Sequence, residues 1–251
     1  MTRRLKMLNN LKLTLKHIRC YHSANELEHI VENAQNNELS YMEFLDNLFK
    51  IEMKNREKNR TKKHLKTAGF PSIKTFDEFD FRFQTSITKR ETNEWLSFDW
   101  IDLRKNKILM GPPGVGKTHL SIASGFSAIH KGYKVIFKSM QKLMEEMILA
   151  AHEDNFEQFL KKILKFDLII IDELGYLPLK PIYANLFFQL INECYEFRSI
   201  MITSNKLFSE WGNFFGDDTI ATAILDRLMH HCDAIIMNGD SYRLKNLELN
   251  R

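Results

Sequence analysis

The residues best suited to chemistry lie in one short run, Gly111-Pro112-Pro113-Gly114-Val115-Gly116-Lys117-Thr118. It fits G-x-x-x-x-G-K-[ST] at every fixed position, follows the apolar stretch KILM and opens a helical pattern, the context that gives the motif its meaning. The glycines let consecutive backbone N–H groups turn inward around phosphate oxygens. The helix N-terminus adds partial positive charge. Lys117 is placed to reach the β and γ phosphates, and Thr118 to offer its hydroxyl to Mg²⁺. Gly111 through Thr118, with the next residue His119, are the expected contacts of ATP.

Three further signals fit around that loop. In FDLIIIDE, Leu168–Ile171 read as a buried central strand. Asp172 and Glu173 sit at its C-terminal end, the edge where parallel sheets bind ligands. An acid there holds the metal, here Asp172 together with Thr118. A second polarises water, here Glu173 as a general base, in the manner of a Walker B motif. In SIMITSN another apolar strand ends in Thr203, Ser204 and Asn205. A polar group there reaches between the base and the γ-phosphate, or else begins an Asx turn. Arg227 lies late on an amphipathic helix. It either pairs with Asp226 or Asp233, or acts as an arginine finger in a neighbouring subunit's site.

These residues need a scaffold of parallel strands. Strands are expected at Ile108–Met110, Val135–Phe137, Leu168–Ile171, Ile200–Thr203 and Ala234–Met237. Helical patterns fall near 117–131, 140–151, 155–165, 181–196 and 219–230. That alternation describes an α/β fold, a parallel sheet flanked by helices. Residues 84–251 form this domain and residues 67–83 a linker marked by Gly69 and Pro71. Phe76, Phe79, Phe81 and Phe83 alternate as in a strand packed on the core, with stacking on a base as the alternative.

Residues 1–66 read as a small all-helical N-terminal domain. Apolar steps fall at Leu8, Leu11, Leu15 and Ile18, then at Leu27, Ile30, Val31 and Ala34. Ser40 and Glu43 form a capping box that opens a third helix with Tyr41, Phe44, Leu45, Leu48 and Ile51 facing one way. Beyond it, KNREKNRTKKHLK carries Lys54, Arg56, Lys58, Arg60, Lys62, Lys63 and Lys66 against a single acid. Lys54, Lys58, Lys62 and Lys66 share a slowly drifting face. No aromatic residue is interleaved, so contact with DNA phosphates is expected rather than base stacking; a solvated face or a protein-docking surface is the alternative.

Charge supports this division. Residues 1–66 carry 14 Lys/Arg against 8 Asp/Glu, and the remaining residues 22 against 24. In the 251-residue chain 27% of residues are charged and 44% hydrophobic, a globular balance. Cys20, Cys194 and Cys232 offer neither a disulfide framework nor a CxxC pair. No apolar run reaches the roughly 18 residues of a membrane span, and no signal-peptide core follows the first residues. A cytoplasmic location without membrane contact is expected.

Together GPPGVGKTHL, DLIIIDELGYLPL, ITSNKLFSEWGNFFGD, AILDRLMHHC and GDSYRLK resemble the IstB-like ATPases, helpers of insertion-sequence transposition in the AAA+ class, close to the DnaC-like helicase loaders. The resemblance runs from about Leu8 to Lys245. It implies an AAA+ core of five parallel strands. It also implies an ATP-driven homo-oligomer on double-stranded DNA that recruits and stimulates a partner transposase. By position, Lys117 and Thr118 are Walker A, Asp172 and Glu173 Walker B, Asn205 sensor 1, Arg227 the finger and Arg243 a second phosphate sensor. The family often has Arg-Tyr before the sensor strand; here Cys194-Tyr195-Glu196-Phe197-Arg198 stands instead, and that contact is not carried over. The alternatives are a DnaC-like replicative helicase loader, identical in core chemistry, and a P-loop small-molecule kinase, which would need an acceptor-binding lid that the sequence does not show.

Overall fold

The computed structural model describes residues 3–176 and 179–248; Leu177 and Pro178, within one stretch that carries the family resemblance, lie outside them. Two compact units meet between Lys63 and His64. No helix among the described residues is long and apolar enough to cross a membrane.

The first unit contains α1 (Arg3–His17), α2 (Tyr21–Asn36) and most of α3 (Tyr41–Ala68). Leu27, Ile30 and Leu48 form its core, with Leu8, Leu15, Val31, Phe44 and Ile51 packed against them. The expected apolar faces are wider than the buried ones: Leu11, Ile18, Tyr41 and Leu45 are exposed. So small a helical unit has little surface with which to cover its stripes. The capping box is present, with the Glu43 N–H donating to Ser40 Oγ at 3.3 Å and the Ser40 N–H to Glu43 Oε2 at 2.8 Å.

At the start of α2, Cys20 makes no side-chain cap bond. Glu52 of α3 takes that role. Its Oε2 accepts the N–H groups of His22 and Ser23, each at 3.0 Å, and the carboxylate is buried. Arg56 donates from Nε to Glu52 Oε1 at 2.9 Å and from NH2 to the Arg19 carbonyl at 2.7 Å. Burial pushes the Glu52 carboxyl up, but the bonds from Ser23, Arg56 and His22 outweigh it and hold the group below the usual range. Arg56 thus makes internal hydrogen bonds while its side chain stays 52% exposed.

The second unit is built on the sheet β1 (Asn106–Met110), β2 (Val135–Ser139), β3 (Leu168–Leu174), β4 (Ser199–Ser204) and β5 (Cys232–Ile236). The strand order is β2-β3-β4-β1-β5 and every pairing is parallel. Side chains alternate between two cores, as period two requires. Ile108, Met110, Ile169, Ile171, Ile200 and Ile202 face α7 (Met140–His152), α8 (Phe156–Ile163), α9 (Pro181–Cys194), α10 (Trp211–Phe215) and α11 (Asp218–Met229). Leu109, Leu168, Ile170 and Met201 face α6 (Lys117–Lys131), α4 (Lys89–Trp95) and α5 (Asp99–Asp102). The chain continues to α12 (Tyr242–Glu248).

The phenylalanine stretch departs from expectation. Residues 76–83 form turns and no strand. The backbone N–H of Phe79 bonds to the Phe76 carbonyl and that of Phe81 to the Phe79 carbonyl. Ala68 and Phe79 belong to the buried core, with Phe70, Phe76 and Phe81 packed against it. The presumed linker is a packed part of the second unit.

Replacing Glu52 by Ala removes the acceptor for two helix N–H groups and is expected to cost about 1–3 kcal/mol. Hydrogen exchange at the α2 amides of the full-length chain reads that loss locally. The folded carboxyl titrates below its ordinary value of 4.5. The stabilisation should therefore be complete above that pH and disappear as pH falls through it toward the lower folded value.

Candidate active site

The motif residues converge because of strand order. β1 leads into the glycine loop, β3 carries Asp172 and Glu173, and β4 lies between them and brings Thr203, Ser204 and Asn205 to the same edge. Gly111 and Gly116 show why the loop needs glycine. A Cβ on Gly111 would stand 1.9 Å from the Met237 carbonyl oxygen. Gly116, with φ +96°, caps α6 in the left-handed region, and its Cβ would meet the Phe79 ring at 2.6 Å.

A cavity of about 560 Å³ opens over this edge. The loop from Pro113 to His119 forms its floor, and Glu173, Tyr176, Thr203, Ser204 and Asn205 line it from the β3 and β4 ends. Pro71, Ser72, Lys74, Glu78, Phe79, Asp80, Phe83 and Gln84 make another wall, and Tyr242 and Arg243 complete it. Sequence reasoning missed most of that wall. Gln84 braces the loop by donating Nε2 to the Val115 carbonyl at 3.2 Å and the Asn238 carbonyl at 3.1 Å. The Tyr242 N–H reaches the Gly114 carbonyl at 3.1 Å. Tyr242 also packs edge-on against Phe83, and Lys245 lies over both rings while bonding Asp80 at 3.2 Å. The signals available were the phenylalanine run and the aromatic beside Arg243.

Lys117 is buried, with Nζ donating to the Gly111 and Pro112 carbonyls at 2.6 and 2.7 Å. Burial lowers its pKa; the Asp172 carboxylate works against that shift, and Arg243 adds to it. Asp172 is buried too, and burial pushes its carboxyl up against the hydrogen bonds of Thr203 and Thr118. Thr118 Oγ1 donates to Asp172 at 2.9 and 3.2 Å. His119 keeps Nε2 on the Thr75 carbonyl at 2.8 Å and packs edge-on against Phe79. A phosphate chain on this floor would meet inward N–H groups, one ammonium and a helix N-terminus.

Among the described residues no cluster of three His, Cys, Asp or Glu side chains is gathered for a metal. Thr118 and Asp172 fit the sparse protein donor set of Mg²⁺, which keeps waters and phosphate oxygens for its remaining positions.

The match to the model of IstB-like ATP binding proteins spans residues 13–249. The chain belongs to this family. As an IstB-like protein it is 40% identical over 95% of its length to the protein named as the ATP-binding protein of insertion sequence IS21 from Pseudomonas aeruginosa, covering 90% of that relative. It is also 40% identical, over 88% of both chains, to the corresponding protein of IS5376 from Geobacillus stearothermophilus. The AMPPCP-bound DnaA of Aquifex aeolicus has the same core fold, with TM-score 0.58 at 20% identity over 72% of this chain and 55% of that one. The DnaC helicase loader matches with TM-score 0.51 at 20% identity over 59% of this chain and 87% of that one. The IstB-like chain is an ATPase of this family, with the five-stranded parallel core that its motifs imply.

Two groups of expected residues stand apart from the cavity lining. Arg227, on α11, donates Nε to Asn192 Oδ1 at 2.9 Å and NH1 to the Ala223 carbonyl at 3.1 Å, and lies over the Phe188 ring. Neither Asp226 nor Asp233 is its partner; Asp233 bonds Lys107 at 2.7 Å. Lys54, Lys58, Arg60, Lys62, Lys63 and Lys66 are exposed along α3.

Replacing Lys117 by Ala removes the ammonium from the floor. A charge-assisted hydrogen bond is worth about 1.5–3 kcal/mol, so ATP affinity should fall about 10–10²-fold or more. Calorimetric titration of the full chain measures it, and an unchanged affinity would move the phosphate site elsewhere.

Proposed function

We propose that this IstB-like chain is an ATP-driven helper of DNA transposition that assembles as a homo-oligomer on double-stranded DNA and stimulates a partner transposase. Its likeness to insertion-sequence ATP-binding proteins at 40% identity over nearly the whole chain carries the reading. The likeness to DnaC at 20% identity concerns the fold, so the transposition reading is preferred over a helicase loader.

In this reading Glu173 accepts a proton from the water that attacks the γ-phosphate in line, and Asn205 orients that water from the end of β4. Lys117 and the loop N–H groups hold the phosphate oxygens. Thr118 and Asp172 would hold Mg²⁺, which would supply charge neutralisation to the phosphates when bound. Arg243, on the cavity wall, adds a further cation near the phosphates. Arg227 lies outside the lining of its own chain's cavity, which supports its use as a finger toward a neighbouring subunit. ATP would then promote assembly by binding the assembled state more tightly than the free one.

Glu173→Gln should keep ATP affinity and lower kcat by about 10²–10⁴-fold, the usual worth of a positioned base. Arg227→Ala should also spare the affinity of the isolated subunit, yet lose about 10³–10⁵-fold in DNA-stimulated hydrolysis. Turnover per subunit that does not rise with protein or DNA concentration would remove the role in trans.

The exposed lysines of α3 support contact with DNA backbone. Each neutralised phosphate contributes about −0.9 to the slope of log K against log salt. Replacing Lys54, Lys58, Lys62 and Lys66 by Gln should flatten that slope by up to about 3–4 units per subunit, weakening all sequences alike while ATP affinity holds. An unchanged slope with lost transposase contact would make the helix a protein-docking surface.

A further inference from the structure

The pairing of β3 with β4 is interrupted where the chemistry sits. Ile171 pairs with Ile202 and Leu174 with Ser204, so Asp172 and Glu173 together oppose Thr203. Such a bulge leaves one backbone group without its ladder partner and re-aims a side chain. Here the bulged residue is Glu173, held at φ +63°. Its N–H donates to the side chain of Thr203, Oγ1, at 3.0 Å. The same hydroxyl donates its own hydrogen to Asp172 Oδ1 at 2.5 Å. Thr203 is buried.

A hydroxyl has one hydrogen to give and lone pairs to receive. At Thr203 both capacities are used on consecutive residues of the facing strand. Valine fills the same space with neither capacity. Serine supplies both. Asp172 also receives the Thr118 hydroxyl, but Thr118 is a cation ligand in the proposed site. The bond from Thr203 is therefore the one that remains on Asp172 when the Thr118 oxygen turns to a metal.

We propose that Thr203 is a positioning residue for ATP hydrolysis. Its single buried hydroxyl holds the backbone of Glu173 in its left-handed bulge, so that the carboxylate faces the cavity, and at the same time fixes the rotamer of Asp172. The base and the metal-holding acid are thereby aimed as one unit from the strand that ends in Asn205. The proposal rests on Glu173 being the base. It adds that a hydroxyl committed to two residues of the facing strand controls where that base stands.

The test uses the full-length chain with ATP, Mg²⁺ and duplex DNA. Thr203→Val should lower kcat by about 10–10²-fold, the usual effect of removing a group that orients a liganding or reacting side chain, with ATP Kd within about threefold. Thr203→Ser should restore kcat to within about threefold of the original. Adding Thr203→Val to Glu173→Gln should cost less than the product of the two single losses, because the share that acts through Glu173 is already gone and only the share through Asp172 remains. If Thr203→Val does not fold, Thr203→Cys, with its weaker donor and acceptor, replaces it with the same expected pattern. Unchanged kcat in either variant, or a full multiplicative loss in the double variant, overturns the proposal. So does kcat loss matched by loss of ATP binding, which marks a purely structural role. Full activity of Glu173→Gln refutes the base reading on its own; a Thr203→Val defect then traces to Asp172 and overturns the route through Glu173.

Discussion

The site turns on a buried carboxylate that must be paired. Asp172 lies inside the protein near the C-terminal end of β3, where an unpaired charge would be strongly disfavoured. Hydroxyls from two other segments meet it: Thr118 from the first turn of α6 and Thr203 from β4. Lys117 supplies an opposing charge nearby. The strand order makes that pairing possible. With β4 between β1 and β3, a threonine from the middle strand reaches the acid of one neighbour, while the loop leaving the other closes from the opposite side.

The phosphate floor is preformed by internal substitution. The Lys117 ammonium rests on two carbonyls of its own loop, and the loop is braced from outside by Gln84 and the Tyr242 backbone. A phosphate bound there would exchange these bonds to neutral carbonyls for bonds in which both partners are charged. Of the described non-glycine residues at positive φ, Glu173 is the one that lines the cavity, at a cost of about 1–3 kcal/mol. Such strain persists where the surroundings over-determine it, and the bulge opposite Thr203 supplies that determination.

The sheet and the loop were legible because their signals are local and strong. Apolar runs of three or four residues mark strands, and the glycine spacing marks the turn between β1 and α6. The helix 117–131 was read to the residue. What escaped depends on contacts distant in sequence. Alternating phenylalanines suggest a strand by period two, yet Phe79 lies in a turn because it packs over Gly116. The short helices α4 and α5 carry too few turns for periodicity to show, although Thr88 and Glu91 form a capping box that could have announced the first. Arg56 looked like one more cation in a basic run. Its pairing with Glu52 four residues earlier is legible in the sequence, but the contact of both with the start of α2 is not.

The wall built by residues 71–84 also bears on how such chains can be divided or recombined. By composition this stretch is a tether, dispensable to either side. In the folded chain it supplies aromatic rings beside the glycine loop and an amide that holds the loop in place. A catalytic fragment cut at residue 84 would retain every recognisable motif and lack one side of its nucleotide cavity. The modular seam lies upstream, at Lys63 and His64, inside the continuous helix α3. An exchange of N-terminal units between relatives is therefore better joined there, within a helix, than at residue 84, where it would strip the wall from the cavity.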